Sequence, residues 1–353
     1  MRDTHKTAAD APCALSWGNR RPSIPVMTAL ILLLIAAFIF SLTIGRYGIP
    51  LDQLMRIFFE KIFGTAELGT VGTVLFNVRI PRILCAIMIG AALAGSGAAY
   101  QGIFRNPMVS PDILGASAGA GFGAAFAILN SFNILSIEIT AFIFGLAAVG
   151  LTYGLSSIIG RNSTAVLVLV LTGMVVQSLF SAFTSITKFV ADPNNKLQEI
   201  TFWLMGGLNS ITNREVLMML VPFVIGLIPL FLFRWKINVL SFGEEEAKAM
   251  GVDTSRVRLI LILASTLLTS SAISVAGMVG WVGLIIPHLA RLIVGPDYKV
   301  LMPASVLIGG TFLLMVDNVA RTAFVTEVPL GILTAIIGAP FFLYLLMKGR
   351  SAW

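Results

Sequence analysis

The run from Ile83 to Phe104 holds 22 residues and not one charge. A bilayer crossing takes about 20 apolar residues, so this stretch is long enough to span one. Arg79, Pro81 and Arg82 stand at its entrance, and Arg105, Asn106 and Pro107 break it, with Pro111 close behind. Neither of these later prolines can continue a helix, so the chain is expected to turn there and re-enter the membrane. The returning run opens with Gly115, Gly119 and Gly123. This small-xxx-small spacing lets two helices approach closely in lipid. Crossing, turning and close packing in one stretch predict an all-α, polytopic membrane protein.

Composition agrees, with 57% hydrophobic residues, 12% charged residues and a mean hydropathy of +0.93. An average soluble domain carries about 25% charged residues. No barrel-like alternation of apolar and polar residues appears. The net charge of +7 is spread over short connections rather than gathered in a block. It reads as membrane orientation and not as nucleic-acid binding. Cys13 lies in a polar tail and Cys85 in an apolar run; both look unpaired, and Cys85 reads as a small packing residue.

Residues 1–24 read as a disordered cytoplasmic tail and 25–350 as a single transmembrane domain. Crossings are expected at Pro25–Gly45, Ile83–Phe104, Ile113–Asn130, Ser136–Gly160, Ser163–Thr187, Val216–Phe233, Val300–Arg321 and Val328–Met347. The uncharged run Leu259–Ala290, punctuated by Gly277, Gly280 and Gly283, reads as one full helix and one short one. Ten spans result, with both termini inside. Pro25–Gly45 lacks a small-residue cleavage site, so it reads as a span rather than a signal peptide. Leu51–Phe63 mixes apolar and charged residues at helical spacing and is expected along the membrane surface. The piece FWLMGGL within Ala191–Ser210 is too short to cross and reads as a re-entrant or surface helix.

With the tail inside, the inner connections carry 15 Lys and Arg and the outer ones 9, which follows the positive-inside rule. Arg79, Arg82 and Arg321 then fall on the disfavoured outer side. Two readings stay open: the arginines snorkel to headgroups, or they dock an acidic partner through bidentate forks. Asp317, four residues before Arg321, is placed to pair with it.

The longest polar connection, Arg234 to Arg258, contains SFGEEEAKAMGVD, Ser241 to Asp253. Ser241 and Glu244 fit a capping box, and the three glutamates suit the positive end of a helix. Glu244 and Lys248 sit four apart, and Gly251 is a natural stop. So short a helix is marginal in water unless docked. It reads either as an ordinary surface helix or as a contact for a cytoplasmic partner. His288, beside Pro287, is the only histidine outside the tail. It reads as structural, and neither a metal site nor another cofactor is expected. There is no G-x-x-x-x-G-K-[ST] loop and no nucleophile elbow. The chain is not expected to be an enzyme, and any ATP hydrolysis would come from another subunit.

Taken together, the motifs identify a resemblance. They are RIPR at Arg79–Arg82, GAALAGSGAAYQGIFRNP at Gly90–Pro107, PDILG at Pro111–Gly115 and WLMGGL at Trp203–Leu208. GEEEAKAMGV at Gly243–Val252, GWVGLIIPHLARLIVG at Gly280–Gly295, DNVAR at Asp317–Arg321 and PLGILTAIIGAP at Pro329–Pro340 complete the set. Nearly everything after the tail resembles the FecCD-type permeases of binding-protein-dependent ABC importers for iron siderophores, haem and cobalamin. The resemblance implies a type II importer fold of ten helices in the cytoplasmic (inner) membrane of a bacterium or archaeon. It implies a homodimer or close heterodimer with a path along the dimer axis. Two ATPase subunits would bind below, and one periplasmic or lipid-anchored binding protein above.

The same resemblance implies roles for residues. Arg79, Arg82 and Arg321 would meet acidic residues of the binding protein. Gly243, Glu244, Glu245, Glu246, Ala247, Met250 and Gly251 would form the helix seated in the ATPase. Gating would involve Asn106, Pro107 and Met108, with Val166 and Leu167 at the start of the fifth helix. The family often carries small hydroxyl residues at that start, where this chain is apolar. Ferric siderophore is the first expected cargo, ahead of haem and cobalamin, with molybdate a further candidate. The rival from another class is an ion-coupled secondary transporter. It would need membrane-embedded carboxylates, and only Glu138 and Asp317 lie near span ends.

Overall fold

In the computed structural model, residues 24–45, 48–64, 69–160, 165–323 and 325–349 are described. Cys13 and the expected tail, except Ile24, lie outside them. The uncharged run centred on Gly90 becomes α4 (Ile80–Ile103), and nearly every side chain on it is buried. Its small residues let neighbours reach its backbone. A Cβ added at Gly90 would fall inside the radius of Gly309 O, and one at Gly97 inside that of Gly283 O. These contacts bring α13 (Tyr298–Thr322) and α12 (Val282–Val294) against α4. On another side, Gly95 faces Leu227 and Leu230, and Gly102 faces Ile237. All three belong to α9 (Asn213–Phe242). Ser96 Oγ donates to Ser265 O at 3.2 Å, and the Tyr100 and Thr266 hydroxyls lie 3.3 Å apart. They join α4 to α11 (Thr254–Ala276).

The remaining helices wrap this centre. They are α1 (Ile24–Thr43), α2 (Leu51–Phe63), α3 (Thr70–Val74), α5 (Ala116–Leu129) and α6 (Ile134–Ile159). After them come α7 (Ala165–Val190), α8 (Lys196–Met205), α10 (Glu244–Ala249) and α14 (Leu330–Gly349). Two glycines of the stripe do what their spacing predicts, while Gly115 (φ 89°) makes the turn before α5. A Cβ at Gly123 would lie 2.7 Å from Thr140 O, and one at Gly119 would meet Phe144 O and Ala148, so α5 lies close on α6. Among the described residues, seven helical stretches are long and apolar enough to cross a membrane, namely α1, Thr70–Ile103, α6, α7, α9, α11 and α13. Parts of α5, α12 and α14 form three shorter apolar helices.

Several expected boundaries are corrected. The crossing expected to open at Ile83 is preceded by helix from Thr70, through a π-helical turn at Leu75–Arg79. Pro81 explains the wide turn: its ring would clash with the carbonyl four residues back, and a π turn re-spaces it. The polar connection expected from Arg234 begins only after Phe242, because α9 runs on. Its polar residues find partners on the start of α13. Arg234 Nη1 donates to Lys299 O at 3.1 Å, and Asn238 Nδ2 donates to Asp297 Oδ1 at 2.6 Å. The Tyr298 N–H donates to Asn238 Oδ1 at 2.8 Å. The run Leu259–Ala290 divides, as expected, into the long α11 and the short α12, broken at Gly277 (φ 69°) and Trp281 (φ 70°).

Gly97→Val forces a side chain into the α12 backbone, and overpacking of this kind costs about 3 kcal/mol or more. Thermal denaturation in detergent should show a large loss of stability for this variant. Gly150→Ala, where nothing lies within 4 Å of the added carbon, should leave it intact.

Candidate functional site

At the predicted outer end, where α4 begins and α13 ends, the three singled-out arginines come together. None of them lies open to solvent: Arg79 is 5% exposed, Arg82 8% and Arg321 7%. Arg82 directs Nε and Nη2 at Asp317, with Nη2 2.8 Å from Oδ1 and Nε 3.0 and 3.1 Å from the two oxygens. Its Nη1 lies 2.9 Å from Glu327 Oε2. The pair expected between Arg321 and Asp317 forms, but at long range. Nε of Arg321 stands 3.9 Å from Asp317 Oδ2, because Arg82 takes the carboxylate face-on. The Nη2 of Arg321 instead donates to Ser41 O at 2.7 Å and Ser41 Oγ at 2.8 Å, and to Asn318 Oδ1. Arg79 Nη1 donates to Leu42 O. Two arginines therefore cap the last carbonyls of α1, the negative end of that helix.

Removing one partner of a buried ion pair leaves an uncompensated charge, at a cost of about 3–5 kcal/mol. Asp317→Ala should lower the unfolding midpoint accordingly. Glu327→Gln should change it far less, since the Glu327 side chain is 23% exposed against 0% for Asp317.

The inner end carries α10. The capping box expected from Ser241 and Glu244 does not form. Ser241 still belongs to α9 and donates to Asn238 O at 2.6 Å, while Gly243 (φ 136°) occupies the N-cap. The short helix is nonetheless docked. Ala247 and Val252 are buried. Glu244 reaches Lys248 at 3.5 Å, Arg258 at 3.2 Å and Thr254 Oγ1 at 3.3 Å. Gly251 (φ 77°) closes the turn. Of the seven expected coupling residues, Gly243 and Ala247 face inward and Glu244 is tied down; Glu245, Glu246, Met250 and Gly251 face out. A groove of about 350 Å³, lined by Trp235, Lys236, Met250, Val252, Arg256 and Ile260 among others, opens beside them.

Burial works against ionisation of Glu244, yet Arg258, Lys248 and Thr254 together hold its carboxyl below the usual carboxylate range. A depressed folded value stabilises above the unfolded pKa and is lost as pH falls through the folded one. The α10 turn should therefore loosen only in acid below the ordinary carboxylate range. Hydrogen exchange of residues 244–251, corrected for intrinsic rates, should show this loosening in the native chain and lose the acid step in Glu244→Gln.

The expected gate residues fall on two elements, the turn after α4 and the start of α7. Asn106 and Met108 are exposed in a turn in which the Met108 N–H donates to Asn106 Oδ1 at 2.9 Å, and Pro107 is half-buried. The following loop reaches α7 beyond Val166, where Gly173 lets Ile113 O approach. Asp112 fixes that loop, accepting from Ser110 Oγ at 3.1 Å and from Ser117 Oγ. Thr152 Oγ1 donates to Leu114 O at 3.0 Å. On α7, Val166 packs against the core, while Leu167 is exposed. At 100° per residue, Leu167, Met174, Gln177, Ser178, Ser181 and Ser185 share one exposed face. Its polar part, Gln177, Ser178, Ser181 and Ser185, was not singled out from the sequence, although its three- and four-residue spacing was visible there.

Comparison with known proteins gives one consistent result. The chain is 40% identical to the molybdate import system permease protein MolB of Haemophilus influenzae, covering 92% of this chain and 95% of that one. It is 43% identical to the cobalamin import system permease protein BtuC of Halobacterium salinarum, over 85% of this chain and 80% of that one. Further relatives are named for iron chelates and for haemin. A solved inward-facing ABC transporter described as of metal-chelate type superposes with a TM-score of 0.82 at 39% identity, covering 92% of this chain and 99% of that one. The model of the FecCD transport family matches residues 33–348. The chain belongs to the FecCD transport family, whose members are the transmembrane permease subunits of ABC importers, and it is a multi-pass integral protein of the cytoplasmic membrane.

Proposed function

We propose that this chain is the membrane-spanning subunit of a binding-protein-dependent importer that moves a metal chelate inward, with ferric siderophore first among chelates. The observation that carries the reading is the family match over residues 33–348. Haem and cobalamin are chelates of the same general size. Molybdate is the second reading, favoured by 40% identity to a molybdate permease over almost the full length of both chains.

In this reading the three shorter apolar helices complete ten crossings, and two copies of the chain enclose the path. The stripe Gln177, Ser178, Ser181 and Ser185 supports a path along α7. Polar side chains facing hydrocarbon are unfavourable, so an exposed polar face on a membrane helix fits water better than lipid. Leu167 and Met174 continue that face towards the inner end, and an apolar constriction can gate by dewetting. Asn106, Pro107, Met108 and Val166 flank this closure. Glu245, Glu246 and Met250 are the contact face for the ATPase, with Gly243, Glu244, Ala247 and Gly251 holding that face in shape. Arg79, Arg82 and Arg321 receive the binding protein's acidic groups.

The test is uptake into vesicles holding the permease with its ATPase subunits, with ferric siderophores, haemin, cobalamin and molybdate offered through the binding protein. Vanadate should abolish uptake of one ligand; continued uptake under vanadate would favour an ion-coupled carrier instead. Glu245→Lys combined with Glu246→Lys should reduce ATP-driven uptake about tenfold, equivalent to about 1.4 kcal/mol, while the thermal midpoint of the permease stays put.

A further inference from the structure

We infer that Glu327 is an internal stand-in for a partner's carboxylate, filling the outward end of the Arg82 fork until a protein presenting Asp or Glu displaces it. The inference deepens the docking role proposed above and rests on that reading.

The fork is divided unequally. Asp317 takes Nε and Nη2, and its side chain is 0% exposed, so nothing arriving from outside can replace it. Glu327 takes Nη1, at 2.9 Å from Oε2 and 3.2 Å from Oε1, with its side chain 23% exposed. Of the two seats only this second one is held by a partly exposed side chain, with Oε2 itself tucked inward against Nη1. The two acids also differ in how they are carried. Asp317 sits inside α13, where its backbone is fixed. Glu327 lies outside regular helix in the connection to α14, near the strongly exposed Val325. The Val328 N–H donates to Ala320 O at 3.1 Å just beyond it. Side-chain rotation at Glu327 can thus vacate the seat without unwinding a helix.

Exchange is also balanced in charge. An arriving carboxylate replaces a carboxylate, so Arg82 is never left half-paired in a buried place, which is the arrangement that costs most. The bidentate grip of Asp317 on Nε and Nη2 fixes the guanidinium, so Nη1 is offered as a pre-organised donor. Glu327 then sets the threshold: it competes with the partner for one guanidinium nitrogen.

The experiment measures docking of the importer's purified binding protein on the assembled permease–ATPase complex in nanodiscs. Native chain and Glu327→Gln are compared at low and high salt. Removing the competing charge should tighten docking about tenfold, mainly through slower dissociation, with the thermal midpoint little changed. If docking weakens with salt but Glu327→Gln binds no more tightly than the native chain, the stand-in role is overturned while docking on charged groups survives. If docking does not respond to salt at all, the arginine-docking reading itself falls.

Discussion

The structure depends on how little side chain α4 carries where it meets its neighbours. In lipid no hydrophobic force drives helices together, so association relies on packing and on close backbone approach. Gly90 against Gly309 and Gly97 against Gly283 provide that approach. Their contact also sets a register. Helices α4 and α13 run antiparallel, so eight residues before Gly90 must lie level with eight residues after Gly309. Those residues are Arg82 and Asp317, which form the buried pair at 2.8 Å. The outer arginine cluster is thus a consequence of two glycines half a helix away. A substitution at either glycine would mis-set an ion pair it never touches.

That register explains why some features were legible in the sequence and others were not. Apolar runs, the glycine stripe of α5 and the break between α11 and α12 are local signals, and each has its expected counterpart. The failures are places where a distant partner outweighs a local rule. Arg321 and Asp317 satisfy the four-residue spacing and do pair, at 3.9 Å, yet Arg82, 235 positions from Asp317, takes the short hydrogen bonds of the carboxylate. Ser241 and Glu244 satisfy the capping-box spacing, yet Asn238 and Arg234 find partners on α13 and carry α9 through Ser241. No window on the sequence contains either competitor. The polar stripe of α7 is a different case: its spacing is local, but only burial shows that it faces outward.

The arginines themselves show why a family role and an observed conformation can differ without conflict. A cationic side chain on an outer helix end has two ways to lower its energy before a partner arrives. It can stay hydrated, or it can turn inward onto carbonyls and carboxylates. Arg79 and Arg321 turn onto the last carbonyls of α1, and Arg82 turns onto acids from α13 and the α13–α14 connection. The groups a partner would meet are therefore already serving as structural caps. Docking on such a face exchanges contacts rather than simply adding them.

The same reasoning gives the coupling role proposed for α10 a physical route. A push on an isolated six-residue helix would be absorbed by melting it, since so short a helix is marginal alone. Here α10 is fastened to α11 through Glu244 and Arg258, and α11 to α4 through Ser265 and Thr266. The loop after α4 in turn presses Pro111 against Gly283 and Ile113 against Gly173. Displacement of α10 is thereby carried into the α4 core and onward to α7, the helix that bears the exposed polar stripe. Because Gly173 and Gly283 admit the loop only by lacking a side chain, this last link transmits through the Ile113 carbonyl and the rigid Pro111 ring. A rigid contact of that kind moves the neighbour where a flexible side chain would yield.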